Sequence, residues 1–171
     1  MELKLQRCTI RDWRLDDAES LAKHANNRKV WLTLRDRFPH PYGIDDAKEF
    51  LARATNEKGR EKFYCIEIDG SAVGGIGIIM GEDVYRLTAE FGYWLGEEFW
   101  GRGVMSEAVS AFTDHCFKES SLHRIFAKAF SSNPASARVL KKAGFVLEGR
   151  LRKSVLKDGQ ILDSLLYAKT I

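Results

Sequence analysis

A chain of 171 residues, 44% hydrophobic and 30% charged, excludes a disordered or collagen-like polypeptide and suits one domain over residues 1–171. No apolar run reaches the ~20 residues of a membrane span and the first residues lack a signal peptide's apolar core, so a cytoplasmic protein without membrane partners is expected. With 27 Lys and Arg against 24 Asp and Glu, the net charge of +3 falls short of a nucleic-acid platform, and no nucleic acid is expected as a partner.

The chain opens on a strand-like stretch in which Leu3, Leu5, Arg7 and Thr9 alternate with their neighbours. A helix follows, with Asp16 as N-cap, Glu19 as its capping-box partner, and Ala18, Leu21, Ala22 and Ala25 on its apolar face. Residues 28–44 mix aromatic residues, arginines and two prolines. The prolines oppose one continuous helix, and the segment reads either as a loop packed on the core or as the wall of a binding cleft. A second helix begins near Asp45, with Ala47, Phe50, Leu51 and Ala54 on one face. The period then shifts to that of strands. Residues 63–68 run into Asp69 and Gly70, a hairpin signal, and residues 72–80 return. Gly74, Gly75 and Gly77 in the returning strand read as a bulge or as close backbone packing. A further strand is expected over 87–95, a helix over 104–117 and a strand over 125–130. Asn133 and Pro134 open a short helix, which Gly144 ends. Two strand-like stretches around Asp158 and Gly159 close the chain. The pattern is mixed α/β, with about seven strands and about four helices.

Between the 87–95 strand and the next helix lie Phe99, Trp100, Gly101, Arg102, Gly103, Val104, Met105 and Ser106. The two glycines let the backbone turn tightly and approach a ligand closely. The helix start offers unpaired N–H groups and the positive end of its dipole, and Arg102 adds a charge, which together make a phosphate site. The order of residues is not that of a Walker loop, and a dinucleotide fingerprint would need a third glycine where Ser106 stands. The three cysteines and four scattered histidines give neither a disulfide framework nor metal-ligand spacing, so no metal site is expected.

The run Ala89, Glu90, Phe91, Gly92, Tyr93, Trp94, Leu95, followed by Trp100, Gly101, Arg102, Gly103 and then Ser106, Glu107, Ala108, resembles the acetyl-CoA-binding motif of the GNAT acyltransferase superfamily. The branch it most resembles is that of the ribosomal-protein N-terminal alanine and serine acetyltransferases. Asn133, Ser136, Arg138, Val139, Leu140, Ala143, Gly144, Phe145, Glu148 and Gly149 are similar in order and spacing to that branch's next motif. There are departures. The superfamily carries Gln or Arg where this chain has Trp100, and Gly or Ala where it has Met105. The tyrosine that protonates the leaving thiolate in many members is Leu140 here.

The resemblance implies a GNAT fold, acetyl-CoA as cofactor, and direct attack of a primary amine on the thioester. The amine belongs either to a protein N-terminus or to a small molecule such as an amino acid, a polyamine, an amino sugar or an antibiotic. It also implies a strand splayed at Tyr93, Trp94 and Leu95, whose backbone N–H groups meet pantetheine and the reacting carbonyl, and a pyrophosphate on Trp100, Gly101, Arg102, Gly103, Val104, Met105 and Ser106. Asn133 is either a pantetheine contact or a helix cap. Glu90 is either the general base or a salt-bridged carboxylate. Ser136 either bonds the departing sulfur or bonds its own helix. Trp31, Arg35, Phe38 and Tyr42 either line the acceptor pocket or pack beneath the loop. The rival function is a non-catalytic CoA- or acyl-CoA-binding module, which the loss of the tyrosine at Leu140 keeps open. A homodimer is a family-based expectation.

Overall fold

Among the described residues, eight strands lie in one sheet, in the order β1-β2-β3-β4-β5-β6-β8-β7. They are β1 (Glu2–Lys4), β2 (Thr9–Asp12), β3 (Glu61–Ile68), β4 (Ser71–Met80), β5 (Thr88–Leu95), β6 (Arg124–Phe130), β7 (Val146–Lys157) and β8 (Gln160–Thr170). The helices are α1 (Ala18–Ala25), α2 (Arg28–Trp31), α3 (Ile44–Ala54), α4 (Val104–Glu119) and α5 (Pro134–Lys142). The structure, a computed structural model, describes residues 1–56 and 59–171. Neighbouring strands are antiparallel except β5 and β6, which are parallel and therefore need the long crossover that α4 supplies. Among the described residues no helix is long and apolar enough to cross a membrane.

The mixed α/β architecture is as the sequence implies, with two differences in count. Eight strands stand in place of seven because the opening stretch is two strands. The Leu5 N–H donates to the Cys8 carbonyl at 2.9 Å, and this turn folds β2 back on β1. Five helices stand in place of four because α2 forms within the segment read as irregular. Its cap is Asn27, whose side chain accepts from the N–H groups of Lys29 and Val30 at 2.8 and 3.2 Å. The capping box expected at Asp16 and Glu19 does not form. Asp16 lies in a 3-10 turn, α1 starts at Ala18, and the Asp17 carboxylate instead accepts from the Arg14 N–H at 2.8 Å.

Period-two alternation splits the sheet into two faces. Phe91 points to the α4 and α5 side, where its ring stacks on Phe112 and Phe145 at 5.9 and 6.0 Å. Ile66, Ile76, Ile125, Leu140 and Tyr167 are buried in that same core. The other face packs Trp13, Leu21, Ala47, Leu51 and Cys65 beneath α1 and α3. The two Asp-Gly turns form as expected, with both residues of each left-handed.

The glycines of β4 are packing residues, as expected. A Cβ on Gly75 would lie 2.7 Å from the Trp94 Nε1. On Gly77 it would lie 2.5 Å from the Phe63 ring and 2.9 Å from the Lys62 carbonyl oxygen. Gly92, opposite Gly77 in the β4–β5 ladder, has open space where its Cβ would be. Gly77→Ala is therefore expected to cost about 1–3 kcal/mol of unfolding free energy. Gly92→Ala stays within about 0.5 kcal/mol of the parent. Urea denaturation of the pair checks this, and equal stabilities contradict the packing argument.

Candidate active site

The site begins where two strands part. β5 and β6 pair only through Thr88, Ala89 and Glu90, opposite Arg124, Ile125 and Phe126. Beyond that point β5 stays paired to β4 and β6 to β8, so the facing edges diverge. The fork opens into a cavity of about 1990 Å³ lined by Phe91, Gly92, Tyr93, Trp94 and Leu95 on one side and by Ala127, Lys128, Ala129 and Phe130 on the other. Strand edges of this kind carry N–H and C=O groups without a ladder partner, which an extended amide-bearing ligand can pair.

At the end of β5 the backbone turns through Gly101 and Gly103 into α4. Both glycines are left-handed, at φ 74° and 78°. This conformation costs a residue with a Cβ about 1–2 kcal/mol. Gly103 is the N-cap of α4 and has no side chain to satisfy the first-turn N–H groups, which are left for an anion. The Trp100 indole N–H donates to the Leu95 carbonyl at 2.7 Å and ties the loop to the strand end. Met105, at the position of the family's small residue, is buried in the core. Gly101, Gly103, Val104, Met105 and Ser106 line the cavity, as does Trp100. Arg102 lies off the cavity wall, with its guanidinium over the Phe99 ring.

Arg7 lies beside this loop, though not on the cavity wall, and escaped the sequence reading. The Glu107 carboxylate accepts from the backbone N–H groups of Gln6 and Arg7 at 3.0 Å each, which pins the β1–β2 turn against α4. The Arg7 Nε then sits 3.4 Å from where a Gly103 Cβ would be. The sequence signal was only the Glu107 in the helix's first turn; its partner lies about a hundred residues away.

Two side-chain pairs flank the fork. On the α4 and α5 side, the Tyr93 hydroxyl meets the Ser136 hydroxyl at 2.8 Å. Burial pushes the Tyr93 phenol up to about 12, partly offset by the Ser136 bond. The Asn133 Oδ1 accepts from the Ser136 N–H at 3.2 Å, so Asn133 caps α5 and also lines the cavity. On the opposite face, Glu90 is ion-paired to Arg35. The alternation left open by the sequence is thereby placed: Tyr93 faces α5, while Glu90 and Trp94 face the 28–44 segment.

That segment forms the outer wall. Arg35, Phe38 and Tyr42 line the cavity, Phe38 packing edge-on to Trp94 at 5.5 Å and against Tyr42 at 4.8 Å. Tyr42 is at the same time buried in the core beneath α1 and α3. Trp31 does not line the cavity. It stacks on His40, and the Lys157 ammonium lies 3.6 Å from its ring centroid. The buried Lys157 also bonds Asp36 at 2.7 Å, and Arg28 bonds Asp158 at 2.5 Å, so the segment is clamped to the β7–β8 hairpin. All three cysteine thiols are pushed up by burial, Cys8 to about 11 and Cys65 and Cys116 to about 12, so none supplies a thiolate at neutral pH.

Comparison with known proteins agrees with this fold. The model of the acetyltransferase (GNAT) domain matches residues 7–146. The chain is 33% identical over 116 residues to the ribosomal-protein-serine acetyltransferase of Escherichia coli (strain K12), covering 68% of this chain and 64% of that relative. It is 30% identical over 162 residues to the ribosomal protein uS5-alanine N-acetyltransferase of the same organism, covering 92% and 81%. A solved structure of RimL, a ribosomal alpha-N-protein acetyltransferase in complex with coenzyme A, superposes with a TM-score of 0.88 at 23% identity, over 100% of this chain and 98% of that one. A forked sheet edge beside a glycine-capped helix start suits the amide-rich arm and phosphates of acetyl-CoA, and the chain belongs to the GNAT family of acetyl-CoA-dependent N-acetyltransferases.

Proposed function

We propose that the acceptor is the free amine of a protein N-terminus, of the ribosomal-protein type named for two of the relatives, and that it attacks directly without an acyl-enzyme. The observation that carries the proposal is the fork, with Glu90 at its base on one face and Tyr93 with Ser136 on the other. Acetyl-CoA supplies the activated thioester. Every other task falls to this chain.

Backbone N–H groups of Tyr93 and Leu95, on the edge of β5 turned away from β4, align the pantetheine arm, and one of them faces the carbonyl oxygen where negative charge grows, while the Trp94 N–H belongs to the β4 ladder. The first turn of α4, with Trp100, Gly101, Gly103 and Arg7, holds the pyrophosphate. Glu90 takes the proton of the attacking amine, directly or through water. Ser136 hydrogen-bonds the sulfur. Arg35, Phe38 and Tyr42 shape the acceptor pocket above the bare floor at Gly92, where no side chain obstructs a chain end. The protonated cysteines support direct attack, since a covalent relay needs a thiolate.

Arg7→Ala is expected to weaken acetyl-CoA binding about tenfold, the value of one charge-assisted hydrogen bond, and raised salt should narrow the difference. Calorimetric titration checks it, and an unchanged dissociation constant removes Arg7 from the cradle. The acceptor class is tested with a peptide beginning in Ser or Ala, the same peptide N-terminally blocked but bearing an internal Lys, and a panel of small amines. CoA release and mass analysis should report acetyl transfer to the free peptide N-terminus alone. Preference for the blocked peptide's lysine or for a small amine overturns the acceptor assignment.

A further inference from the structure

We propose that Tyr93 is a positioning residue for acetyl transfer: its phenol hydroxyl donates to Ser136 and so aims the serine's own proton at the sulfur of acetyl-CoA. The inference rests on the proposed place of Ser136 beside that sulfur.

The geometry begins with two hydroxyls from elements 43 residues apart that meet at 2.8 Å. The Tyr93 hydroxyl also reaches the Ser136 carbonyl oxygen at 3.3 Å. Each hydroxyl has one proton and two lone pairs, so their shared bond runs in one of two senses. A phenol, with a reference pKa of about 10, is a far stronger acid than an alcohol, which favours the sense in which tyrosine donates and serine accepts. The serine proton is then left unused. Ser136 lines the cavity, and among the described residues its hydroxyl oxygen meets only the hydroxyl of Tyr93. The free proton therefore has the cavity as its outlet. A donor that itself accepts a hydrogen bond becomes a stronger donor, so the chain from Tyr93 through Ser136 strengthens the contact to sulfur.

Burial keeps the phenol protonated, pushed up to about 12. A thiol at about 8.5 is the stronger acid, so neither hydroxyl surrenders its proton. As the N–C bond forms and the C–S bond breaks, the amine proton passes to Glu90. Both hydroxyls keep theirs and stabilise, by hydrogen bonding, the electron pair left on sulfur. This arrangement also answers the loss of the helix tyrosine: Leu140 is fully buried, off the cavity, and carries no hydroxyl, whereas β5 brings one to the cavity wall. Packing does not account for the hydroxyl, because the Tyr93 ring contact with Phe91, at 5.3 Å, would be kept by phenylalanine.

The test is a comparison of Tyr93→Phe, Ser136→Ala and the double variant with the parent, all checked for unchanged thermal unfolding. One readout is independent of turnover: the ratio of affinities for CoA and for desulfo-CoA, which lacks the sulfur. The parent should prefer CoA; Ser136→Ala should abolish the preference and Tyr93→Phe reduce it. In kinetics, Tyr93→Phe should lower kcat about two- to tenfold, the range of one hydrogen bond, and leave KM for acetyl-CoA within about twofold. The double variant should be no worse than Ser136→Ala. If Ser136→Ala changes both readouts and Tyr93→Phe changes neither, the inference about Tyr93 fails while the place of Ser136 stands. If Ser136→Ala changes neither, the place of Ser136 fails and the inference with it.

Discussion

Glu90→Gln is expected to lower kcat about 100-fold while leaving the dissociation constant for acetyl-CoA within about twofold. Glu90 is the last residue of β5 paired to β6, so its carboxylate stands where the strands part, on the face that meets the 28–44 segment. An amine is a nucleophile only when neutral, and the proton it loses on attack must go somewhere. A positioned base contributes roughly 10²- to 10⁴-fold, and the lower end applies where water can partly substitute. A hundredfold loss corresponds to about 2.7 kcal/mol of transition-state stabilisation. Glutamine keeps the size and one acceptor oxygen but takes up no proton. The glycine loop proposed to hold the phosphates lies at the far end of β5, beyond Leu95, so donor affinity should not change. The ion pair to Arg35 gives the competing explanation, in which Glu90 only orders the outer wall. Arg35→Gln separates the two: it should raise KM for the acceptor more than it lowers kcat. Initial rates with acceptor varied check both, and parental kcat in Glu90→Gln removes the base assignment.

Arg11→Met is expected to cost about 3–5 kcal/mol of stability, a large share of the ~5–15 kcal/mol that holds a domain together. The Arg11 guanidinium is buried at the centre of a network. It grips Asp17 in bidentate fashion at 2.8 and 2.8 Å, bonds the Asp12 carbonyl at 3.0 Å and pairs with Glu67. Both Arg11 and Asp17 are nearly inaccessible, at 4% and 7% exposure, so removing the cation strands a carboxylate in the interior. Methionine fills much of the volume, so the cost is electrostatic rather than a cavity. Adding Asp17→Leu to Arg11→Met should recover part of the loss, because the stranded charge goes with it. Urea denaturation measures both. The network fastens the start of α1 to β2 and β3.

What the sequence made legible was local. The Asp-Gly hairpins, the amphipathic α4 and the Asn133–Pro134 helix start each carry their signal within a few residues. The glycine loop before α4 was likewise readable as a tight turn, because two closely spaced glycines ahead of a helix start permit the φ > 0 that it adopts. Misreadings came where local pattern and chain path disagree. Apolar residues fall on odd positions at Leu3 and Leu5 and on even positions at Cys8 and Ile10, and this phase break at Gln6 and Arg7 was the only notice of the turn that makes two strands of one. Helix α2 has four residues, too few to show a period, and only its Asn27 cap gave notice. At the site, tertiary partnerships were invisible. Arg7 reaches Gly103 only because Glu107 grips a distant turn, and Tyr93 finds Ser136 only across the fork. Trp31 shows the converse limit: an aromatic residue in a loop does not declare which side it faces, and here it lies under Lys157 rather than on the cleft.

The central claim is that the unpaired edge of β5 and the start of α4 form the acetyl-CoA site, and hydrogen–deuterium exchange resolved by segment tests it most directly. On saturation with acetyl-CoA, amides of residues 91–95 and 101–106 should exchange more slowly, because ligand amides and phosphates take up N–H groups that the fold leaves open. The β3–β4 hairpin should be unchanged. Protection confined to other segments, with 91–95 and 101–106 exchanging as in the free protein, would contradict the account.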